Sequence, residues 1–105
     1  MTDMNPAALD EILDLLGEAK TRELLGVLAD DLGKRFASEK AEVIAFDAHA
    51  TISSAGTFGF VSLASVCRTV ENACRAGADV TPLLVRLNDE RARALDQIAA
   101  LRMAA

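Results

Sequence analysis

Apolar residues recur every three or four positions along most of the chain, and the rhythm breaks only at points marked by glycine or proline. Asn5-Pro6 reads as an N-cap followed by proline at the first helical position. Leu9, Ile12, Leu13 and Leu16 then form a stripe that Gly17 should end. A second helix is predicted from about Ala19, with Leu24, Leu25, Leu28, Leu32 and Phe36 on one side and Arg22, Asp30, Asp31, Lys34 and Arg35 on a solvated face. Ser38 is placed to cap a third helix running through Glu42, Ile44, Ala48 and Ile52 towards Ala55. Gly56 to Gly59 mark a turn. The fourth helix begins near Phe60, carries Leu63, Val66, Cys67, Val70 and Cys74, and should stop at Gly77. Thr81-Pro82 repeats the cap-and-proline device and opens a last helix to about Leu101, whose seam of Leu84, Leu87, Ala94, Ile98 and Leu101 is broken by Arg91. Short connections make successive helices antiparallel neighbours. The expected fold is all-α: an up-down antiparallel four-helix bundle with a short additional N-terminal helix.

Composition narrows this further. The 105 residues suit one domain, 1–105, and no repeat, linker or boundary divides them. Four Phe with no Trp or Tyr argue against a β-sandwich. A net charge of -5, without any run of Lys and Arg, removes the basic face that nucleic acid or an anionic membrane requires. No apolar stretch approaches the ~20 residues of a membrane span, and Met1 to Pro6 lack the pattern of a signal peptide. Cys67 and Cys74 lie two helical turns apart, about 10 Å along the axis, which is too far for a relaxed disulfide. They read as small core fillers in a reducing cytoplasm.

The one histidine carries the candidate chemistry. With 100° per residue, Ala41, Ile44, Ala48, Thr51, Ile52 and Ala55 share the direction of the core, and His49 points about 110° away from it. Its imidazole is therefore expected on the outer flank, with Phe46 one turn earlier, Glu42 on the same side, and Ser53 one turn later. No second His or nearby Cys is available to complete a zinc site, and nothing supplies a hydrolase triad. No phosphate-binding G-x-x-x-x-G-K-[ST] loop is present. An isolated exposed imidazole is suited to accepting and releasing a phosphoryl group.

Ala48-His49, followed without a gap by Ala55-Gly56-Thr57-Phe58-Gly59-Phe60, resembles the signature of histidine phosphotransfer (HPt) domains. The nearest version is the one at the N-terminus of chemotaxis histidine kinases. Leu63, Cys67 and the Val70-Glu71 pair also fall where that family's next helix carries a Leu, a small residue and an apolar-Glu pair. The resemblance extends over nearly the whole chain and implies a stand-alone phosphohistidine carrier, with His49 as phosphoacceptor. It implies a histidine kinase and a response-regulator receiver domain as partners, the receiver supplying Mg²⁺, so that the carrier needs no cofactor or catalytic site of its own. A cytoplasmic monomer is implied as well. Phe46, Glu42 and Gly56 would meet the partner, whereas Phe58 and Phe60 are expected to pack the hairpin.

The sequence departs from the family where a Lys and a Gly usually follow the His, because Ile52 and Ser53 stand there instead. Ile52 brings no charge to offset a phosphoryl group of about -2, although Ser53 can donate a hydrogen bond. Arg35, Lys34 and Lys40 are the candidate outside cations. The alternative that this departure raises is a docking module that binds a kinase or receiver without carrying phosphate. A kinase's own dimerisation helices match poorly, because Ala50-Thr51 follows the His without the acidic residue of that motif.

Overall fold

The computed structural model describes residues 4–103, so the first three and last two residues of the expected domain, including Met1 to Asp3, lie outside the described residues. Four helices follow one another: α1 (Pro6–Lys34), α2 (Ala41–Thr57), α3 (Val61–Arg75) and α4 (Thr81–Met103). Among the described residues there is no strand, only an isolated bridge between Met4 and Phe60. The bundle is that expected from the hydrophobic rhythm.

The two N-terminal helices read from the sequence form one element with a kink. Asn5 caps it by accepting a hydrogen bond from Ala7 N at 3.1 Å, and Pro6 occupies the first turn. Inside α1, Gly17 adopts φ 82° and ψ 169°, a backbone shape that breaks the helical ladder and that side-chain-bearing residues avoid. The short additional helix is thus the segment before that break. Leu25, Leu28 and Leu32 of the longer segment are buried.

Two details correct the sequence reading. Phe36 is not part of the helical stripe: α1 ends at Lys34, Arg35 caps it, and Phe36 lies beyond the cap with φ 66°. Its half-buried ring still packs on the core. Ser38 does not cap the next helix, because α2 starts at Ala41 with Lys40 in the cap position and no side-chain cap. The Ser38 hydroxyl oxygen instead accepts from Lys40 N at 3.1 Å, closing a local turn.

Arg91, which interrupts the apolar seam of α4, explains how the α1 terminus is held. Its Nη1 donates to the carbonyls of Leu32 and Arg35, each at 2.9 Å, and its guanidinium lies 5.9 Å from the Phe36 ring centroid. Those carbonyls lie in the last turn and cap of α1, where no intrahelical donor remains. A cation on the core stripe of α4 therefore satisfies the end of α1.

The α2–α3 hairpin is the most closely packed pair. Phe58 and Phe60 are buried within it, as expected. Between them Gly59 takes φ 80°, and its carbonyl accepts from Asn5 N at 2.6 Å. A Cβ at this position would stand 2.6 Å from the Asn5 carbonyl oxygen, so both shape and space demand glycine. The hairpin turn is thereby fastened to the start of α1. Cys67 is fully buried and Cys74 half-buried, both as free thiols. Burial pushes the Cys67 thiol up to about 12.

Candidate functional site

Alanines at 41, 45, 48, 50 and 55 make α2 a strong helix former and leave little side-chain bulk along its contact with α3. Against that smooth background a few long side chains stand out. His49 projects from the outer flank with 73% of its side chain exposed, and Phe46, one turn before it, is 72% exposed. The helical-wheel placement of both is therefore correct.

The neighbouring helix supplies what the sequence reading did not assign. Glu71 of α3 has only 11% of its side chain exposed, and its two oxygens lie 3.2 and 3.0 Å from His49 Nδ1. Arg75, one turn further on, donates to Glu71 Oε2 from Nη2 at 2.6 Å and from Nε at 3.1 Å. One carboxylate oxygen thus joins the guanidinium and the imidazole. The Arg75 bonds, helped by those from His49, hold the Glu71 carboxyl below its ordinary 4.5, against partial burial that pushes it up. An ionised carboxylate has no proton to give, so Nδ1 carries the hydrogen and donates it. In the neutral ring the free lone pair then belongs to Nε2, the nitrogen farther from the backbone.

An open groove of about 670 Å³ runs beside this pair, lined by Ala41, Glu42, Ala45, Phe46, His49, Cys74 and Arg75. Three expected residues, Glu42, Phe46 and His49, therefore meet on one surface. The others are distributed differently. Ile52 is half-buried against the core, Ser53 is exposed one turn past His49, and neither lines the groove. Gly56 is exposed about two turns beyond His49, with nothing within 4 Å of where a Cβ would stand.

None of the three proposed outside cations lines the groove. Arg35 belongs to the opposite flank of α2, where its Nη1 donates to Thr51 Oγ1 at 3.2 Å and Ser54 Oγ at 3.4 Å, and Nη2 pairs with Asp31 at 3.5 Å. This half-buried arrangement differs from the solvated face expected for Arg35. Lys34 and Lys40 are exposed and stand outside the groove lining. The cation beside the imidazole is Arg75. Its signal in the sequence was a Glu on the apolar stripe of a helix with an Arg four residues later, the spacing of an intrahelical ion pair.

Among the described residues, no group of three or more His, Cys, Asp or Glu side chains is arranged to hold a metal ion. No helix there is long and apolar enough to cross a membrane. The arrangement is that of a helical bundle presenting one exposed imidazole, oriented by a carboxylate on the neighbouring helix. The family model described as Hpt domain matches residues 3–104, nearly the whole chain. The chain therefore belongs to the Hpt domain family, whose general role is histidine phosphotransfer in phosphorelays, with kinases and receiver domains as partners. Members of the family are phosphotransfer modules rather than self-contained catalysts. Comparison with the curated proteins gave no match. Comparison with the solved structures likewise gave none.

Proposed function

We propose that the chain is a phosphohistidine carrier in which Nε2 of His49 accepts a phosphoryl group from a histidine kinase or a phosphorylated receiver domain and passes it to a receiver aspartate. The observation that carries this reading is the His49 Nδ1–Glu71 hydrogen bond on an otherwise exposed ring. The Nε2 lone pair forms the N–P bond as the P–O bond to the donor breaks, and the electron pair leaves with the aspartate carboxylate of a receiver or, where a kinase is the donor, with the ADP formed from its ATP. The imidazole keeps its Nδ1 proton and gains positive charge, which the Glu71 carboxylate offsets across the hydrogen bond. Transfer to the next aspartate reverses these steps. Mg²⁺ and the acidic site belong to the receiver, so this reading gives the carrier no cofactor of its own. It works as a monomer in the cytoplasm.

Phe46, with Glu42 at its side, is assigned to receiver contact, since a large exposed aromatic beside the reacting atom is suited to anchoring a partner. Gly56 leaves room for the partner further along α2. Ser53, exposed one turn past His49, is assigned as a hydrogen-bond donor to the phosphoryl group, whereas Ile52 brings no charge to it.

The test is transfer from radiolabelled phosphorylated receivers to the wild type and to His49→Gln. Rapid, acid-labile labelling of the wild type alone supports the carrier. Labelling retained in His49→Gln moves the site elsewhere. Receiver binding without labelling identifies a docking module instead.

A further inference from the structure

The family's usual cation on α2 is replaced here by Ile52, and Arg75 is already engaged in two bonds to Glu71. The register of the hairpin shows where another charge enters. His49 of α2 meets Glu71 of α3, and the two helices are joined by a short turn and run antiparallel. One turn forward on α2, at Ile52 and Ser53, therefore lies level with one turn back on α3, at Cys67 and Arg68. Cys67 turns into the core, whereas Arg68 is exposed. On the α3 wheel Arg68 and Arg75 lie about 20° apart, on the same outward edge beside Glu71. Among the described residues, Arg68 has neither a hydrogen bond nor an ion pair.

We propose that Arg68 of α3 is the phosphoryl-binding cation of this carrier, supplying across the helix pair the charge that Ile52 cannot supply from α2. The inference rests on the phosphocarrier reading of His49. A phosphoryl group on Nε2 then sits between Arg68 and Arg75, and the Ser53 hydroxyl faces it from α2. An arginine fork is matched to two phosphoryl oxygens at once, while its long stem spans the gap between neighbouring helices. Because Arg68 has no resting partner among the described residues, engaging the phosphoryl group breaks no ion pair found there. Arg75, by contrast, must keep Glu71 ionised to orient the ring.

The test does not depend on a biological partner. Phosphoramidate transfers its phosphoryl group to an exposed imidazole: the Nε2–P bond forms, the P–N bond breaks, and ammonia leaves. Chemically phosphorylated wild type, Arg68→Ala, Arg68→Lys and the double variant Arg68→Ala/Ile52→Lys are compared by ³¹P NMR for shift and for hydrolysis half-life. Transfer to and from a receiver is measured on the same samples. Arg68→Ala is expected to change the half-life and slow transfer roughly three- to tenfold, the size of one exposed charge-assisted contact. Arg68→Lys should retain part of the effect, and Ile52→Lys should restore the double variant by returning a cation to the same level of the helix pair. A transfer rate and hydrolysis half-life in Arg68→Ala within about twofold of wild type, with an unchanged ³¹P shift and normal helicity, overturn the assignment. If the wild type exchanges phosphate with no receiver while its ³¹P signal still depends on Arg68, the carrier function fails and the cation assignment stands. The reverse pattern leaves the carrier intact and removes Arg68 from it.

Discussion

Replacing Arg91 by Ala removes the side-chain donors that hold the end of α1. The structure shows two bonds from Nη1, to the Leu32 and Arg35 carbonyls at 2.9 Å each, a third from Nη2 to Asn88 Oδ1 at 3.0 Å, and the guanidinium over Phe36. Hydrogen bonds from a charged donor contribute about 1.5–3 kcal/mol each where they are buried, and Arg91 is half-buried, so the low end applies. Sharing one nitrogen between two carbonyls lowers the total further, and the Asn88 bond is exposed and small. A loss of about 2–3 kcal/mol is expected once the contact with Phe36 is included. For a domain of this size, that corresponds to a fall in Tm of roughly 10–15 °C. Urea denaturation followed by circular dichroism measures it directly, with the midpoint moving and the slope unchanged. Arg91→Lys should recover about half, since an ammonium cannot reproduce the fork, whereas Asn88→Ala should cost less than about 0.5 kcal/mol. An Arg91→Ala protein within about 0.5 kcal/mol of wild type would refute the assignment of Arg91 as the cap of α1.

Three other outcomes are expected. Gly59→Ala should destabilise the fold by about 2–3 kcal/mol, from the positive φ and the 2.6 Å approach to the Asn5 oxygen, with protection of the Asn5 amide lost in hydrogen exchange; normal protection would contradict this. Glu71 has a folded-state pKa below its ordinary 4.5, so its contribution to stability is full above that value and disappears as pH falls through the folded value. Glu71→Gln should flatten this part of the acid limb in denaturation curves taken from neutral pH downward, and an unchanged limb would show that Glu71 titrates normally. The Cys67 thiol, pushed up to about 12 by burial, should resist thiol reagents in the native protein and react only on unfolding; prompt native labelling at Cys67 would contradict the packing of α3.

The bundle was legible because each helix advertises its own ends and its buried stripe. Asn5-Pro6 and Gly17 did so for the first segment, and the flank occupied by His49 and Phe46 followed from angular arithmetic on α2 alone. What failed to show were contacts between elements. Arg91 looked like a flaw in the seam of α4 because the unsatisfied carbonyls it serves are more than fifty residues away. Arg35 looked solvated because Thr51 and Ser54 belong to another helix. Phe36 and Ser38 were misplaced for a local reason: at a helix end, a positive φ or a cap one residue away looks the same in the hydrophobic pattern. Glu71 was visible as part of a motif, yet its bond to His49 depends on the register of two helices that no single-helix wheel contains.

That register also connects stability to chemistry at the site. A carboxylate as covered as Glu71 is costly to bury alone, and two groups compensate it here, Arg75 along its own helix and His49 across the pair. The Arg75 pair favours the charged carboxylate independently of the ring, and an ionised Glu71 accepts the hydrogen that Nδ1 donates. On the proposed carrier reading, phosphorylation of Nε2 adds positive charge to the ring next to an acceptor already in place, while the negative charge it brings lies on the far side of the ring, away from Glu71. The proposed transfer would thus have its two charges met from two directions. Moving the compensating cation from α2 to α3, as proposed for Arg68, would leave the His49–Glu71 bond untouched, so Ile52 in place of the lysine does not disturb the part of the site that orients the ring.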